Sequence, residues 1–420
     1  MKLLVKNGIL PKYGRVDMLA EDGIIVKIEE NIVCDEAEVV DAQGLYVMPG
    51  MVDLHCHLRD PGMEYKEDIA SGTAAAAAGG FTSICCMANT APVNDNAVVT
   101  AYIINKAKTE GSGVHVYPIG ALSKGLKGEC MAEIGDMAKA GIVAISDDGK
   151  PVMNSQLLRL AMEYASAFDV TVFDHCEDLN LVNKGVMNEG YNSTLLGLRG
   201  ITRAAEEVHI ARDIVLADTL NLPIHICHVS TKGGVDLIRY AKARGVKITC
   251  ETAPHYLAGT DDMCGTYNAY SKVNPPLRLM SDQQALIEGL CDGTIDCIAT
   301  DHAPHHKDEK DVEYNAALSG ISGFETAFAL CMEALVHSGK MTMDEFVQVA
   351  CTKPAKIIGK NCGALEIGRD ADFIIADPNA EWCVDVKKFI SKGKNTTFHG
   401  RMVHGKVRET FVGGKSIYKG

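Results

Sequence analysis

Short apolar runs alternate with amphipathic stretches through the middle of the chain. Met51–His55, Phe81–Met87, Val114–Ile119, Ile142–Ser146, Val170–Asp174, Pro223–His228, Val246–Cys250 and Ile295–Thr300 are the length of buried strands and too short for core helices. Between them, Glu67–Ala78, Asn96–Thr109, Ser155–Phe168, Arg203–Thr219, Val235–Arg244 and Asp282–Leu290 carry helical patterns. Eight strands, each followed by a crossover, predict an α/β protein with a (β/α)8 TIM-type barrel. The competitor, a doubly wound open sheet, loses because no strand is followed by G-x-G-x-x-G and no P-loop occurs. Both ends read differently. LLVKNGIL, EVVDAQGLYVMPG, ADFIIADP and RMVHGKVRETFVGGKSIYKG show period-2 alternation with glycine turns, which predicts short strands. The expected organisation is therefore a small β-sandwich domain built from both termini, residues 1–48 and 362–420, around a barrel over 49–361. The Ala74–Ala78 run is read as a small-residue helix face packed close to the barrel.

Composition narrows the function class. The 420 residues are 47% hydrophobic and 23% charged, which excludes a mostly disordered chain. A net charge of −14 argues against a broad nucleic-acid surface but leaves room for a small anionic substrate met by local cations. Fifteen cysteines are scattered with no CxxC, so they are read as reduced thiols of a cytoplasmic protein. No apolar run reaches the ~18 residues of a membrane span and no targeting segment is visible, so no membrane association is expected.

In a barrel, chemistry sits where strands end and βα loops begin. Strand one ends in His55-Cys56-His57, whose imidazoles share a side at i and i+2. Strand four ends in Asp147-Asp148, strand five in Asp174-His175, strand six in His228 and strand eight in Asp301. Four His and two Asp on one face fit two adjacent divalent ions sharing a carboxylate, zinc being the default for such donors. Neighbouring strand residues face opposite sides, so only one of Asp147 and Asp148 is expected at the metals, and the pattern alone does not choose. Other histidines have plainer readings. His225 faces away from His228 and is structural, and His302 and His306 orient loops. His115, His209, His255, His337, His399 and His404 are surface or packing residues, and Cys56, Cys85, Cys86, Cys176 and Cys227 are buried thiols.

The motifs themselves carry a resemblance. PGMVDLHCHLRDPG (49–62), GGFTSICCMANTAP (79–92), ISDDGKPV (145–152), DHCED (174–178), ETAPHY (251–256), NPPLR (274–278), TDHAPH (300–305) and SGISGFETAF (319–328) resemble the amidohydrolase superfamily, and within it the bacterial type I dihydroorotases. The resemblance implies that His55, His57 and Asp301 hold one metal, that His175 and His228 hold the other, and that Asp148 bridges them. Many relatives use a carboxylated lysine there, and no lysine precedes Lys150 at this strand end. The resemblance further implies that Arg59, Asn89 and His305 hold a substrate carboxylate, with His57 also facing substrate. Asn274 and the Ser319–Gly320 backbone would hold the ring amide edge. Asp301 would be the catalytic base and acid. The implied reaction is reversible cyclisation of N-carbamoyl-L-aspartate to L-dihydroorotate, in a chain that forms a homodimer or assembles with aspartate carbamoyltransferase. The alternatives are another cyclic amidase (a hydantoinase, dihydropyrimidinase or allantoinase) or an inactive scaffold for a partner enzyme. The polar segment His306–Leu318 is the expected lid.

Overall fold

The computed structural model describes residues 1–420. The N-terminal segment forms β1 (Lys2–Leu10), β2 (Gly14–Glu21), β3 (Ile24–Glu29), β4 (Glu38–Asp41) and β5 (Tyr46–Pro49). The barrel strands begin with β6 (Met51–Cys56), β7 (Phe81–Cys86), β8 (His115–Gly120), β9 (Ala144–Ile145) and β10 (Thr171–Asp174). A two-stranded ribbon, β11 (Met187–Asn188) with β12 (Gly200–Ile201), interrupts them. The barrel resumes with β13 (Ile224–Ile226), β14 (Ile248–Thr252) and β15 (Cys297–Ile298). All neighbouring pairs from β6 to β15 are parallel and run in chain order. The ring is closed between β15 and β6 by a parallel bridge from Cys56 to His302. The Asp53 side chain strengthens that seam through hydrogen bonds with Thr300 N at 2.6 Å and Thr300 Oγ1 at 2.8 Å.

The barrel is a packed core and not a pore. Val52, Leu54, Cys85, Ile119, Phe173 and Cys297, from successive strands, form one buried cluster inside it. Helices cover its outside, many started by a side-chain cap. Asp68 caps Ile69–Gly79, Asn96 caps Ala97–Glu110, Asn154 caps Ser155–Ser166 and Thr231 caps Lys232–Ala243. The alanine-rich helix packs as its small residues suggest. A Cβ on Gly79 would sit 2.4 Å from Phe324 O, and Thr410 Oγ1 donates to Ala77 O at 2.7 Å.

Two strands and two helices depart from the sequence pattern. Strands β9 and β15 have two paired residues each, against the five and six expected. Just beyond them Ser146 N still donates to Gly120 O and Ala299 N to Thr252 O, and after β15 the Thr300 N–H turns to the Asp53 side chain instead. Helices Ile134–Ala140 and Phe324–Cys331, the latter continued through Met332–His337, had no counterpart in the pattern. The first is short, and the second is buried on nearly every side, so neither shows a long amphipathic stripe.

The terminal strands, completed by β16 (Phe373–Cys383), β17 (Met402–Val412) and β18 (Lys415–Lys419), form one continuous sheet in the order β18-β17-β16-β5-β1-β2-β3, with β4 beside β1. The two layers expected of a sandwich come from this sheet curling on itself. Met18 and Ile25 at one end share a core with Phe373 and Phe411 at the other, and Ile25 N donates to Arg369 O at 2.8 Å. The connection from β16 to β17 packs on the barrel. Val384, Phe389 and Phe398 join the barrel's outer core, and Ser391 and Lys392 bond to Glu67.

Candidate active site at the barrel mouth

The C-terminal ends of β6, β9, β10, β13 and β15 bring the expected His and Asp side chains to one point. Asp148 is its centre. Its Oδ1 lies 3.3 Å from His55 Nε2, 3.3 Å from His175 Nδ1 and 3.4 Å from His228 Nε2, and its Oδ2 lies 3.5 Å from His57 Nε2. Asp301 Oδ1 is 3.2 Å from His57 Nε2 and 3.7 Å from His55 Nε2. Two donor groups, His55–His57–Asp148 and Asp148–His175–His228, therefore share one carboxylate. All six residues are buried. His55 Nε2 and Asp148 Oδ1 have no hydrogen-bond partner, although a lost hydrogen bond at such depth is costly. Unpartnered nitrogen and oxygen donors converging at this spacing fit divalent cations. The nearest strand-end lysine, Lys150, is exposed and outside the cluster.

Asp147 resolves as the outward neighbour. Its Oδ1 accepts from Leu122 N and Ser123 N, both at 2.9 Å, and its Oδ2 from Ser123 Oγ. Asp174 likewise turns away, to Arg212 Nη2 at 2.9 Å. Arg59, His228 and Asp301 adopt left-handed backbone, with φ of 61°, 33° and 45°. Each lies two or three residues past a strand end, and the uncommon conformation turns the chain sharply while keeping the side chain in the mouth.

Partners behind the imidazoles fix their orientation. His55 Nδ1 donates to Glu251 Oε1 at 3.1 Å, His57 Nδ1 to Asn89 Oδ1 at 2.9 Å and His175 Nε2 to Glu177 Oε2 at 3.3 Å. Each bond leaves the other nitrogen facing Asp148. The charges balance by shared protons. Burial opposes ionisation of Asp148 and Asp301, but neighbouring histidines hold both below the ordinary carboxylate range. Burial pulls His175 down, yet Asp148 and Glu177 push it up to about 10, and Asp148 raises His55 likewise. His57 goes the other way, lowered by burial and by the Arg59 charge. A cation entering the cluster would replace these protons.

The residues expected to hold substrate fall around this centre with mixed availability. Arg59 is buried; its Nε donates to Pro304 O at 3.3 Å, and its two terminal nitrogens donate to no protein acceptor. Asn89 is spent on His57 through its oxygen, which leaves its amide N–H free. Asn274 Nδ2 donates to Glu177 Oε2 at 3.2 Å. His305 donates from Nε2 to Ser319 O at 2.8 Å, and burial with the Arg59 and Lys66 charges pulls it down to about 3, so it is a neutral ring. Gly320 is engaged within the protein. Its N–H donates to Lys272 O at 3.0 Å, and its carbonyl already accepts from Asn395 and Lys310, because this loop is tied down from behind. Of that pair the Ser319 N–H is the group without a backbone partner.

The remaining histidines behave as structural groups. His225 bonds Thr249 Oγ1 and sits 3.3 Å from Glu251 Oε2. His302 accepts from Gly323 N and stacks on Phe324, and His306 caps Lys307–Lys310. His209 and His255 are buried in packing, and His115, His337, His399 and His404 bond carboxylates or carbonyls away from the mouth. All fifteen cysteines are free, including the five beside the strands. The segment expected as a lid is anchored by Tyr314 and by Lys310, both buried. Glu251 and Glu177 were missed by sequence reasoning. Their signal was a lone acid at the end of an apolar strand and two residues past a ligand-type histidine.

The comparisons with known proteins agree with this geometry. A Dihydro-orotase-like family model matches residues 44–234. The dihydroorotase of Acetivibrio thermocellus is 56% identical over 99% of this chain and 99% of its own. That of Ruminiclostridium cellulolyticum is 55% identical over 100% and 99%. Among solved structures, the L-hydantoinase (dihydropyrimidinase) from Arthrobacter aurescens superposes with a TM-score of 0.90 at 27% identity, covering 99% of this chain and 96% of that one. The dihydropyrimidinase from Brevibacillus agri shares the fold, with a TM-score of 0.87 at 23% identity over 100% and 95%. No helix is long and apolar enough to cross a membrane. With hydantoinases as fold neighbours and dihydroorotases as full-length relatives above half identity, the chain belongs to the dihydroorotase family of cyclic amidohydrolases.

Proposed function

We propose that the chain interconverts N-carbamoyl-L-aspartate and L-dihydroorotate, the ring-closing step of pyrimidine synthesis, with two divalent cations, zinc by the chemistry of the donors. The observation that carries the reading is Arg59: a buried guanidinium with two unengaged nitrogens beside a doubly tridentate His/Asp cluster. A cyclic amide that bears a carboxylate needs both. His55, His57 and Asp301 would hold one cation, His175 and His228 the other, and Asp148 both. Bound there, the pair supplies an activated water and polarisation of the scissile carbonyl.

The residues do the rest. Arg59 fixes the substrate carboxylate in a planar, two-bond grip. The Asn89 amide and the Ser319 N–H offer donors to the ring and its substituent, and His305 keeps Ser319 in place. In ring opening, Asp301 accepts the water proton on a carboxylate oxygen and delivers it to the ring nitrogen as the C–N bond breaks. Ring closure runs the same path backwards. The neighbouring histidines hold Asp301 ionised against the cost of burial, so its carboxylate is available as the acceptor.

The test compares substrates. Turnover of carbamoyl aspartate should exceed hydrolysis of unsubstituted hydantoin by orders of magnitude, and acid should favour the ring by up to about tenfold per pH unit between pH 6 and 8, since closure consumes a proton. A preference for hydantoin would assign the chain to the hydantoinases instead.

A further inference from the structure

Beside the barrel mouth lies a second cavity of about 540 Å³, between the segment 305–310 and the β16–β17 connection. Lys307, Lys310, Lys387, Lys392 and Lys394 line it with three histidines, and no Asp or Glu does. That is a sharp local reversal in a chain of net charge −14. Two of the lysines have carboxylate partners outside the wall: Lys392 pairs with Asp68 and Lys307 with Asp311 at 3.5 Å. Lys310, Lys387 and Lys394 have none. Lys310 is 1% exposed and donates only to carbonyls, those of Lys272 at 3.1 Å, Leu318 at 2.8 Å and Gly320 at 3.2 Å. Lys394 donates to Phe389 O at 2.5 Å and Ser391 O at 2.6 Å. Carboxylates meet the wall at Lys392, Lys307 and, through Glu309 at 3.4 Å, at His305, and burial with the Lys272 charge pulls Lys310 down to about 7. Carbonyls satisfy N–H groups but bring no counter-charge, so Lys387 and Lys394 leave the lining with an excess of positive charge.

We propose that this cavity is a binding site for a small phosphate-bearing anion with two or more negative charges. Its volume is that of a small-molecule pocket. The wall offers ammonium groups and no guanidinium; Arg59 is not part of it. Ammonium groups bind phosphate as point charges, and several around one cavity suit an anion that carries two or more charges. The site also touches the loops that frame the metal cluster. Lys310 holds the Leu318 and Gly320 carbonyls on either side of Ser319. Asn395 on the same wall accepts from His305 N at 2.9 Å and donates to Gly320 O at 3.0 Å. An occupant would thus sit against the supports of Ser319 and His305.

The proposal is independent of the reaction assigned above, because its test reads binding directly. The metal-loaded protein is titrated calorimetrically with pyrophosphate at constant ionic strength, and metal content is measured afterwards. One site per chain is expected, with succinate at least tenfold weaker. Lys387→Ala/Lys394→Ala should weaken pyrophosphate by at least tenfold while the melting temperature and carbamoyl aspartate turnover stay unchanged. Arg59→Met should bind pyrophosphate as the parent does. Pyrophosphate binding lost in Arg59→Met and kept in the lysine double variant would put the anion in the substrate site and overturn the proposal. Succinate binding as tight as pyrophosphate, or no pyrophosphate binding at millimolar concentration, would overturn it too.

Discussion

Replacing Arg59 by Met separates substrate recognition from the chemistry of the cluster. Arg59 is 8% exposed, anchored by Nε to Pro304 O, with both terminal nitrogens unengaged. A carboxylate gripped by those two nitrogens gains two charge-assisted hydrogen bonds, each worth about 1.5–3 kcal/mol. Losing both should cost about 3–6 kcal/mol in the transition state, or about 10²–10⁴ in kcat/KM. Met keeps the length of the stem, and the left-handed backbone at φ 61° costs Met no more than it costs Arg. Fold and metal content should therefore survive. The assay is steady-state ring closure of carbamoyl aspartate beside hydrolysis of dihydrouracil, the same ring without its carboxylate. The charged substrate should lose about 10³ in kcat/KM and the uncharged one less than about threefold. Equal losses on both would show that Arg59 supports the cluster electrostatically and not the carboxylate, since it also lowers His57.

Other perturbations give distinct signatures. Asp301→Asn keeps an oxygen but loses the proton acceptor, so turnover should fall about 10²–10⁴-fold with metal partly retained; near-normal turnover would move the relay elsewhere. Glu251→Gln weakens the hold on His55 Nδ1 and should reduce metal affinity about 10–100-fold, measured by chelator competition, and unchanged affinity would contradict it. Asp147→Ala strands the buried Leu122 and Ser123 N–H groups and should cost about 2–5 kcal/mol in denaturant unfolding while both metals stay bound; loss of metal would refute the outward assignment. Asp53 is pushed up to about 8, chiefly by burial. Its folded form is the neutral acid, so folding takes up a proton and stability declines as pH rises from about 4, its unfolded value, towards 8. Asp53→Asn removes that dependence, and its melting temperature should gain on the parent with rising pH; a gap that stays flat would contradict the neutral acid.

The barrel was legible because its signals are local. Each strand is a buried apolar run bounded by a polar end, and those ends carry His55, His57, His175, His228 and Asp301. What was illegible depends on partners distant in sequence. Asp147 and Asp148 look alike along the chain; only the Leu122 and Ser123 amides decide which turns away. Glu251 gains its role from His55, 196 residues earlier. Which N–H of the Ser319–Gly320 pair is open depends on Lys272, from a different loop, whose carbonyl takes the Gly320 N–H. Phe324–Cys331 is buried by the barrel on one side and β17 on the other, which erases the stripe that would have marked it as a helix. The β16–β17 connection looks like a domain-internal loop, and its contacts with Glu67, His305 and Gly320 come from segments more than seventy residues away.

The most direct test is a metal titration. Metal-free protein is titrated with zinc while carbamoyl aspartate turnover and bound metal are followed together, for the parent and for Asp148→Ala. The two donor groups sharing Asp148 predict that parent activity rises to saturation at two zinc per chain without added bicarbonate. They predict that Asp148→Ala binds at most one and stays inactive. Parent activity that saturates without metal or requires bicarbonate, or two tightly bound zinc in Asp148→Ala, would contradict the account.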